Sequence, residues 1–268
     1  MLVSTQNQED RAVIKSQELS VAIWRRFVGD FSGAQTEDRD TLTILWANTP
    51  FPFWNVIFFS DDVCSVEQLK AAANEAASIA STKKHPGMIS VCTSLLDKTA
   101  SEQTDSILSM AGYPISVPIT GMTAEPFPIT ATCPTNLKIE RVNDFRILTE
   151  LNCRAYDVPV EAAKTSTLSE ELAQHAFIYL GYEESRPVCT AAVIVQQDVL
   201  YLALVATDEK ARNKGYGGAI VRHALQQAHE ATGLTQAALH ATTAGEPVYA
   251  KIGFQPVAEF RWYMQEHQ

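Results

Sequence analysis

A glycine-rich, basic stretch is the part of this chain whose residue types and spacing indicate chemistry most directly. Residues 212–218 read Arg-Asn-Lys-Gly-Tyr-Gly-Gly, after the apolar run Tyr201–Val205 and before a helical pattern. Glycines without a Cβ atom let successive backbone N–H groups turn toward one point, and a helix that begins there adds unpaired amides and the positive end of its dipole. The stretch therefore predicts an anion site, with a solvated basic turn as the alternative.

The charges and the helical pattern around this stretch support an anion site. Lys210, Arg212 and Lys214 place three cations within five residues of a chain whose formal net charge is -10. An amphipathic helix is indicated downstream by apolar residues at three- and four-residue spacing: Ile220, Val221, Ala224, Leu225 and Ala228. The phosphate loop of nucleotide-hydrolysing enzymes and the dinucleotide-binding turn both fit poorly, because Lys214 precedes the glycines and their spacing is wrong.

Two ordered motifs connect this segment to a known family. Arg-x-x-Gly-x-Gly at residues 212–217 follows Leu-Val-Ala-Thr at residues 204–207, and Val-Tyr-Ala-Lys-Ile-Gly-Phe lies downstream at residues 248–254. The pair resembles the acyl-CoA signature and the late tyrosine element of the GCN5-related N-acetyltransferases, the GNAT superfamily. The resemblance is strongest from about Phe177 to Gln265, roughly the last third of the chain.

This resemblance implies an α/β (α+β) fold, a mixed sheet flanked by helices, and acetyl-CoA (coenzyme A) as the cofactor. A strand over residues 200–207 would diverge from the next strand, residues 236–241, and leave a gap for the pantetheine arm. Main-chain groups of Val205 and Thr207 would bind that arm, and residues 212–217 would hold the pyrophosphate. In full, the cofactor-binding residues that it implies are Val205, Thr207, Arg212, Asn213, Lys214, Gly215, Tyr216, Gly217, Gly218 and Thr242.

Tyr249 is the residue that the resemblance assigns to catalysis. When an amine attacks a thioester, the departing thiolate needs a proton or a hydrogen-bond donor, and a phenol with a pKa near 10 supplies one at neutral pH. The alternative is a ring that packs on the core face of a short helix. The general base stays open among six candidates: Glu183, Glu184, Asp198, Asp208, His175 and His240.

The chain divides into two similar halves around a stretch that contains several prolines. We predict an N-terminal domain over residues 1–124, a linker over 125–136 and an acetyltransferase domain over 137–268. Gly-Tyr-Pro-Ile at residues 112–115 and Gly-Phe-Gln-Pro at residues 253–256 each follow a short predicted helix, which indicates a degenerate internal repeat. Residues 64–68 lack the glycine-rich loop. We therefore expect two GNAT-like mixed sheets, of which only the second binds acyl-CoA.

The composition limits the partners and the cell compartment. A net charge of -10 argues against nucleic acid and anionic membrane surfaces as partners. We expect a cytoplasmic protein, because no apolar run reaches about 18 residues and no leader pattern is present. The five cysteines lack metal-ligand spacing, so no metal site is predicted. The oligomeric state stays open, with a homodimer among the alternatives.

Three function classes follow from these observations. The first is an N-acyltransferase that moves an acetyl group from acetyl-CoA to a primary amine of a small molecule by direct attack. The second is a non-catalytic acyl-CoA-binding or sensing protein, and the third is an adaptor whose first half binds a protein partner. A group of aromatic residues either fills a core or walls an acceptor pocket: Trp46, Phe51, Phe53, Trp54, Phe58 and Phe59.

Overall fold

The computed structural model describes residues 2–125, 133–143, 145–164 and 169–265. The helices are α1 Leu2–Gly29, α2 Val66–Ser81, α3 Lys98–Met110, α4 Phe145–Ala155, α5 Glu161–Lys164, α6 Glu170–Gln174, α7 Tyr216–Thr232 and α8 Glu246–Ala250. The strands are β1 Gln35–Asp38, β2 Leu42–Trp46, β3 Asn55–Phe59, β4 Met88–Cys92, β5 Ile115–Ala124, β6 Lys138–Arg141, β7 Ala176–Glu183, β8 Arg186–Gln196, β9 Val199–Thr207, β10 Ala237–Thr242 and β11 Gln255–Met264. These elements confirm the predicted α/β class.

The chain folds into two compact units. The first consists of Met1–Gly121, His240–Thr243 and Pro256–Gln268, and the second of Met122–Leu239 and Ala244–Gln255. Most of the predicted linker, residues 126–132, lies outside the described residues. The domain limits that the sequence indicates at residues 124 and 137 stay a prediction.

The first unit is built on a mixed sheet with the strand order β1-β2-β3-β4-β11-β5. Neighbouring strands run antiparallel from β1 to β3, β4 is parallel to β3, and β11 is antiparallel to β4. Alternate residues of β3 serve the two faces, as a strand with period two requires. Ile57 and Phe59 join the apolar core that includes α2, whereas Phe58 packs near Trp24 of α1.

The aromatic group of the first half packs in the first unit. Trp46, Phe51, Trp54, Phe58 and Phe59 are all buried, and Phe53 is half-buried. The ring of Trp54 lies 5.2 Å from that of Phe27 in α1, centroid to centroid. Contacts of this kind favour the interpretation of these rings as core residues.

The second unit also has a run of antiparallel strands followed by a parallel pair. Its order is β6-β7-β8-β9, followed by the Ala237–Leu239 part of β10. Neighbours run antiparallel from β6 to β9, and β10 is parallel to β9 over the pairs from Leu200–Ala237 to Leu202–Leu239. Helix α7 connects these two parallel strands, as α2 connects β3 with β4. Its buried side is the apolar face that the sequence predicted, from Ile220 to Ala228.

Candidate active site

A bulge in β9 shapes the strand that leads to the glycine-rich loop. Thr190 pairs with Ala206 and Ala192 with Ala203, so one residue of β8 faces two of β9. Leu204, one of those two, has φ 52°, which is uncommon outside glycine. Bulges of this kind bend a strand and redirect its groups. Val205, the other of those two, is half-buried, and Thr207 ends the strand.

Asn152 of α4 supports this bulge. Its side chain is 3% exposed. The amide nitrogen donates to the carbonyl oxygen of Leu148 at 2.9 Å and to that of Leu204 at 3.2 Å. A buried polar side chain that is hydrogen-bonded in this way fixes the backbone it contacts. The uncommon conformation of Leu204 is therefore held by a second element.

The loop after β9 ends in a row of backbone N–H groups without partners. Asp208 accepts a hydrogen bond from the backbone of Lys210 at 3.1 Å, and Ala219 donates to the carbonyl oxygen of Gly215, which starts the bonding of α7. Within the described part of the chain, no hydrogen-bond acceptor contacts the N–H groups of residues 213–218. We call these six groups the N–H cradle. Free donors at a helix N-terminus are the elements of an anion site.

Two residues with positive φ give the cradle its shape. Asn213 has φ 63°, and Gly215, the N-cap of α7, has φ 78° and ψ 4°. Glycine adopts this left-handed conformation without steric cost, whereas a β-branched residue does not. Gly215 also has open space where a Cβ atom would stand. The backbone conformation, and not crowding, therefore requires glycine at this position.

Gly217 and Gly218 allow neighbouring side chains to lie close to the backbone of α7. A Cβ atom on Gly217 would lie 3.2 Å from Oγ1 of Thr207, and one on Gly218 would lie 3.1 Å from Nη1 of Arg222 and 3.8 Å from Val248. Gly218 thus faces side chains of α7 and α8. At 3.8 Å a Cβ atom on Gly218 would make only an ordinary contact with α8, so the close neighbour is the Arg222 side chain.

The cations predicted for the anion site have different partners. Lys214 forms an ion pair with Glu183 at 2.9 Å, while the Nε atom of Arg212 donates to the Thr207 carbonyl oxygen at 3.4 Å. Arg186 pairs with Asp208 at 2.9 Å. Lys210 is exposed. The ion pair leaves less free positive charge at the loop than a count of its cations indicates.

Tyr249 lies inside the second unit, on α8. It is 8% exposed, and its ring centroid is 6.1 Å from that of Phe254. Burial raises the pKa of its phenol well above the ordinary value, and the nearby phenol of Tyr156 raises that pKa further. Burial likewise raises the pKa of Tyr201, with Tyr249 as the next cause. These buried phenols are therefore neutral at neutral pH, and the hydroxyl of Tyr249 is available as a donor.

Arg222 ties the helix of Tyr249 to the start of α7. Its Nη1 atom donates to the carbonyl oxygen of Gly218 at 3.2 Å, and its Nη2 atom to that of Lys251 at 3.4 Å. Lys251 directly follows α8. One guanidinium thus bridges the N–H cradle and the element that carries Tyr249.

The structure narrows the candidates for a general base. Glu183 is paired with Lys214, which holds its pKa below the ordinary value, and Asp208 is paired with Arg186. Burial lowers the pKa of His240 to about 3, and its ring lies in the first unit, 3.3 Å from the hydroxyl oxygen of Ser16. Exposed turns or caps carry the other three: Glu184, Asp198 and His175. None of these sites favours proton abstraction.

Thr242, the remaining cofactor candidate, ends β10 and is half-buried. It belongs to the first unit. Its predicted contact with the cofactor stays a prediction.

Three functional side chains were not found from the sequence. Hydrogen bonds to backbone carbonyls come from Asn152 and Arg222, and the amide of Asn136 donates to the hydroxyl of Tyr216. Such contacts leave no spacing pattern. Arg222, four residues after Gly218, carried the one local signal, since residues four apart share a helix face.

The described residues carry neither a metal cluster nor a membrane-spanning helix. No cluster of three or more His, Cys, Asp or Glu side chains suited to a metal ion occurs among the described residues. None of the helices described is both long and apolar enough to span a bilayer.

One family model matches part of the chain. Residues 147–261 match the family model described as "Acetyltransferase (GNAT) domain". No curated protein matches the sequence. The fold is similar to that of a GCN5-related N-acetyltransferase from Kribbella flavida, with a TM-score of 0.65 and 16% identity over 94% of this chain and 96% of that chain.

Two further solved structures share this fold. A functionally unknown conserved protein from Staphylococcus epidermidis ATCC 12228 has a TM-score of 0.60 and 11% identity, over 90% of this chain and 98% of that one. A tandem GNAT protein from the clavulanic acid biosynthesis pathway has a TM-score of 0.54 and 11% identity, over 86% of this chain and 80% of that one. At such identities the likeness shows the fold alone.

Proposed function

Because residues 147–261 belong to the GNAT acetyltransferase family, which supports acyl-CoA-dependent acetyl transfer in general, we propose that this protein is an active N-acyltransferase. The proposed reaction moves an acetyl group from acetyl-CoA to a primary amine of a small molecule by direct attack. The N–H cradle is the observation that carries the proposal. Its donors suit a pyrophosphate, because backbone amides at a helix N-terminus and the positive end of the helix dipole bind anions.

The groups of the second unit named above have distinct tasks in this reaction. Bound acetyl-CoA supplies an activated thioester. The N–H cradle holds the diphosphate, and Val205 and Thr207 offer main-chain groups beside the β9 bulge. Tyr249 donates the proton or hydrogen bond that the sulfur receives as the carbon–sulfur bond breaks. The amine nitrogen forms the new carbon–nitrogen bond and releases its proton to solvent; where Tyr249 has given its own proton to the sulfur, solvent returns one to it, so the proton count closes.

The alternative is a protein that binds acyl-CoA without turning it over. The placement of the base candidates favours it, since the carboxylates of Glu183 and Asp208 are occupied by cations and His240 is protonated only in strong acid. An amine that reaches the site already neutral needs no such base. The two functions differ in turnover and not in binding.

Two measurements test the proposal together. Calorimetry and thermal unfolding with CoA should show binding and a raised melting temperature, because a ligand that binds only the folded state stabilises it. Thiol release from acetyl-CoA should then rise with at least one member of a broad amine panel. Binding without amine-dependent release would identify an acyl-CoA sensor. Absence of binding at millimolar CoA would refute the cofactor assignment.

A further inference from the structure

Four side chains meet beside Gly215 at the edge of the N–H cradle. Both carboxylate oxygens of Glu183 accept hydrogen bonds from Nζ of Lys214, at 2.9 and 3.0 Å. The Tyr216 hydroxyl also donates to Glu183, and the Asn136 amide nitrogen donates to both Glu183 and Tyr216. We call this group the Glu183 clamp. Its members come from three separate parts of the sequence.

The position of the clamp is what gives it a function. Lys214 and Tyr216 are the two neighbours of Gly215, the residue whose left-handed conformation shapes the cradle. The carboxylate of Glu183 thus binds the residues on both sides of Gly215, whose backbone is the least restricted. Tyr216 is 1% exposed, and Glu183 keeps 24% of its side chain exposed. The clamp therefore joins the buried start of α7 to the end of β7.

The usual value of a surface ion pair does not explain this arrangement. Exposed pairs contribute little to stability, and a carboxylate beside an anion site repels the ligand. Glu183 is compensated by a cation, a phenol and an amide, which offset that repulsion locally. Lys214 holds the pKa of Glu183 below its ordinary value, and the Tyr216 hydroxyl lowers it further. Lys214 and the Tyr216 hydroxyl thus occupy the carboxylate of Glu183, which favours a structural role over that of a general base.

We propose that Glu183 is a positioning residue of the acyl-CoA site, whose carboxylate fixes Lys214 and Tyr216 so that the N–H cradle is ordered before the ligand arrives. This inference rests on the proposed function. A loop that is already in its binding conformation does not lose conformational freedom on binding, and this raises affinity without a new contact. Lys214 then serves the site mainly through Glu183, whereas the resemblance assigned it to the ligand directly.

The test compares neighbouring glutamates. Glu183→Gln keeps the shape of the side chain but removes its charge, and we expect the Kd for CoA and the KM for acetyl-CoA to rise about tenfold, a typical effect of losing a hydrogen bond to a charged group. The kcat at saturating acetyl-CoA should stay unchanged. Glu184→Gln, in the exposed turn next to it, is the matched control and should change neither constant.

A double-mutant cycle separates positioning from direct contact. If Lys214 acts through Glu183, Lys214→Met and Glu183→Gln together weaken CoA binding no more than either alone. Additive losses would overturn the inference, as would an unchanged or lower Kd in Glu183→Gln. Should Glu183→Gln not fold, Tyr216→Phe keeps the ring and should raise the Kd severalfold. A wild-type protein that does not bind CoA refutes the proposed function itself, whereas an altered clamp without effect refutes only this inference.

Discussion

The junction between β3 and α2 and the junction between β9 and α7 hold the same place in two similar units. At the first, side chains at the start of the helix cap it. The hydroxyl of Ser65 accepts from the backbone of Gln68 at 3.3 Å, and the Gln68 side chain accepts from the backbone of Ser65 at 3.0 Å and of Cys64 at 3.2 Å. This reciprocal pair is a capping box.

At the second junction glycine stands at both capping positions. Gly215 is the N-cap and Gly218 the third helical residue, where α2 has Ser65 and Gln68. No side chain caps α7. The start of the helix is therefore capped by side chains in α2 and left open to an external anion in α7. The difference lies in two residues. This contrast supports the prediction that only the second half binds acyl-CoA.

A second contrast lies one helix later. The backbone N–H of Tyr113 donates to the carbonyl oxygen of Leu108 at 2.9 Å, and that of Phe254 to the carbonyl oxygen of Tyr249 at 3.1 Å. Leu108 and Tyr249 thus hold corresponding places, four residues before Gly112 and Gly253. Only the second carries a hydroxyl group. The proposed donor chemistry and the free N–H groups consequently occur in the same unit.

The largest expected effect comes from Gly215→Val, which breaks the contrast between the junctions. Valine is strained at φ 78°, so the cradle should lose its shape and CoA affinity should fall at least about 100-fold, equal to one or two hydrogen bonds to a charged group. Calorimetry measures the loss. Gly233→Val is the matched control, because Gly233 at the other end of α7 has φ 74° and equally open surroundings. Equal losses in both variants would contradict the loop assignment.

Tyr249→Phe tests the second contrast and should have the next largest effect. The change removes one hydroxyl group and keeps the ring, so we expect kcat to fall at least about tenfold while the Kd for CoA stays the same. Tyr113→Phe makes the same change in the first unit and should leave kcat unaltered. Wild-type turnover in Tyr249→Phe would show that the ring serves only in packing. A weaker Kd with normal kcat would make the hydroxyl a binding group.

Ser65→Ala should have the smallest effect and sharpens the comparison from the other side. Loss of the capping hydroxyl should lower the free energy of unfolding by about 1 kcal/mol, because the N–H of Gln68 loses its partner. CoA affinity should not change. Denaturant unfolding and calorimetry measure the two quantities. A change in CoA affinity would mean that this junction takes part in ligand binding, which would contradict the difference between the β3–α2 and β9–α7 junctions.

Local signals in the sequence accounted for much of the fold and part of the site. The alanine-rich pattern of residues 66–81 predicts a helix, and α2 has these bounds; the Ser65 and Gln68 cap starts it. The glycine spacing located the loop. The left-handed backbone of Gly215 and the Thr207 side chain beside Gly217 explain why glycine stands at each. In each case the residues that determine the structure are close in sequence.

The features that were missed depend on pairing partners that the local residue pattern does not indicate. Strand β1 has the polar sequence Gln-Thr-Glu-Asp, which has no apolar alternation, and it forms by pairing along β2. The bulge at Leu204 depends on Asn152, and a leucine does not signal a positive φ. The Glu183 clamp joins residues 136, 183 and 214–216. Glu183 was predicted only as one of several possible bases, because its partners were not visible.

The membership of β11 in the first unit has a consequence for biosynthesis. Residues 260–264 pair with residues 88–92 of β4, so that sheet gains its strand beside β4 only when residues 260–264 have left the ribosome. Domains usually fold from the N-terminus onward during synthesis. Here the part translated first is completed last, and until then β4 exposes an open edge of the kind that promotes aggregation. A nascent chain stalled before residue 255 would therefore present the second unit's glycine-rich loop while the first unit still lacked a strand.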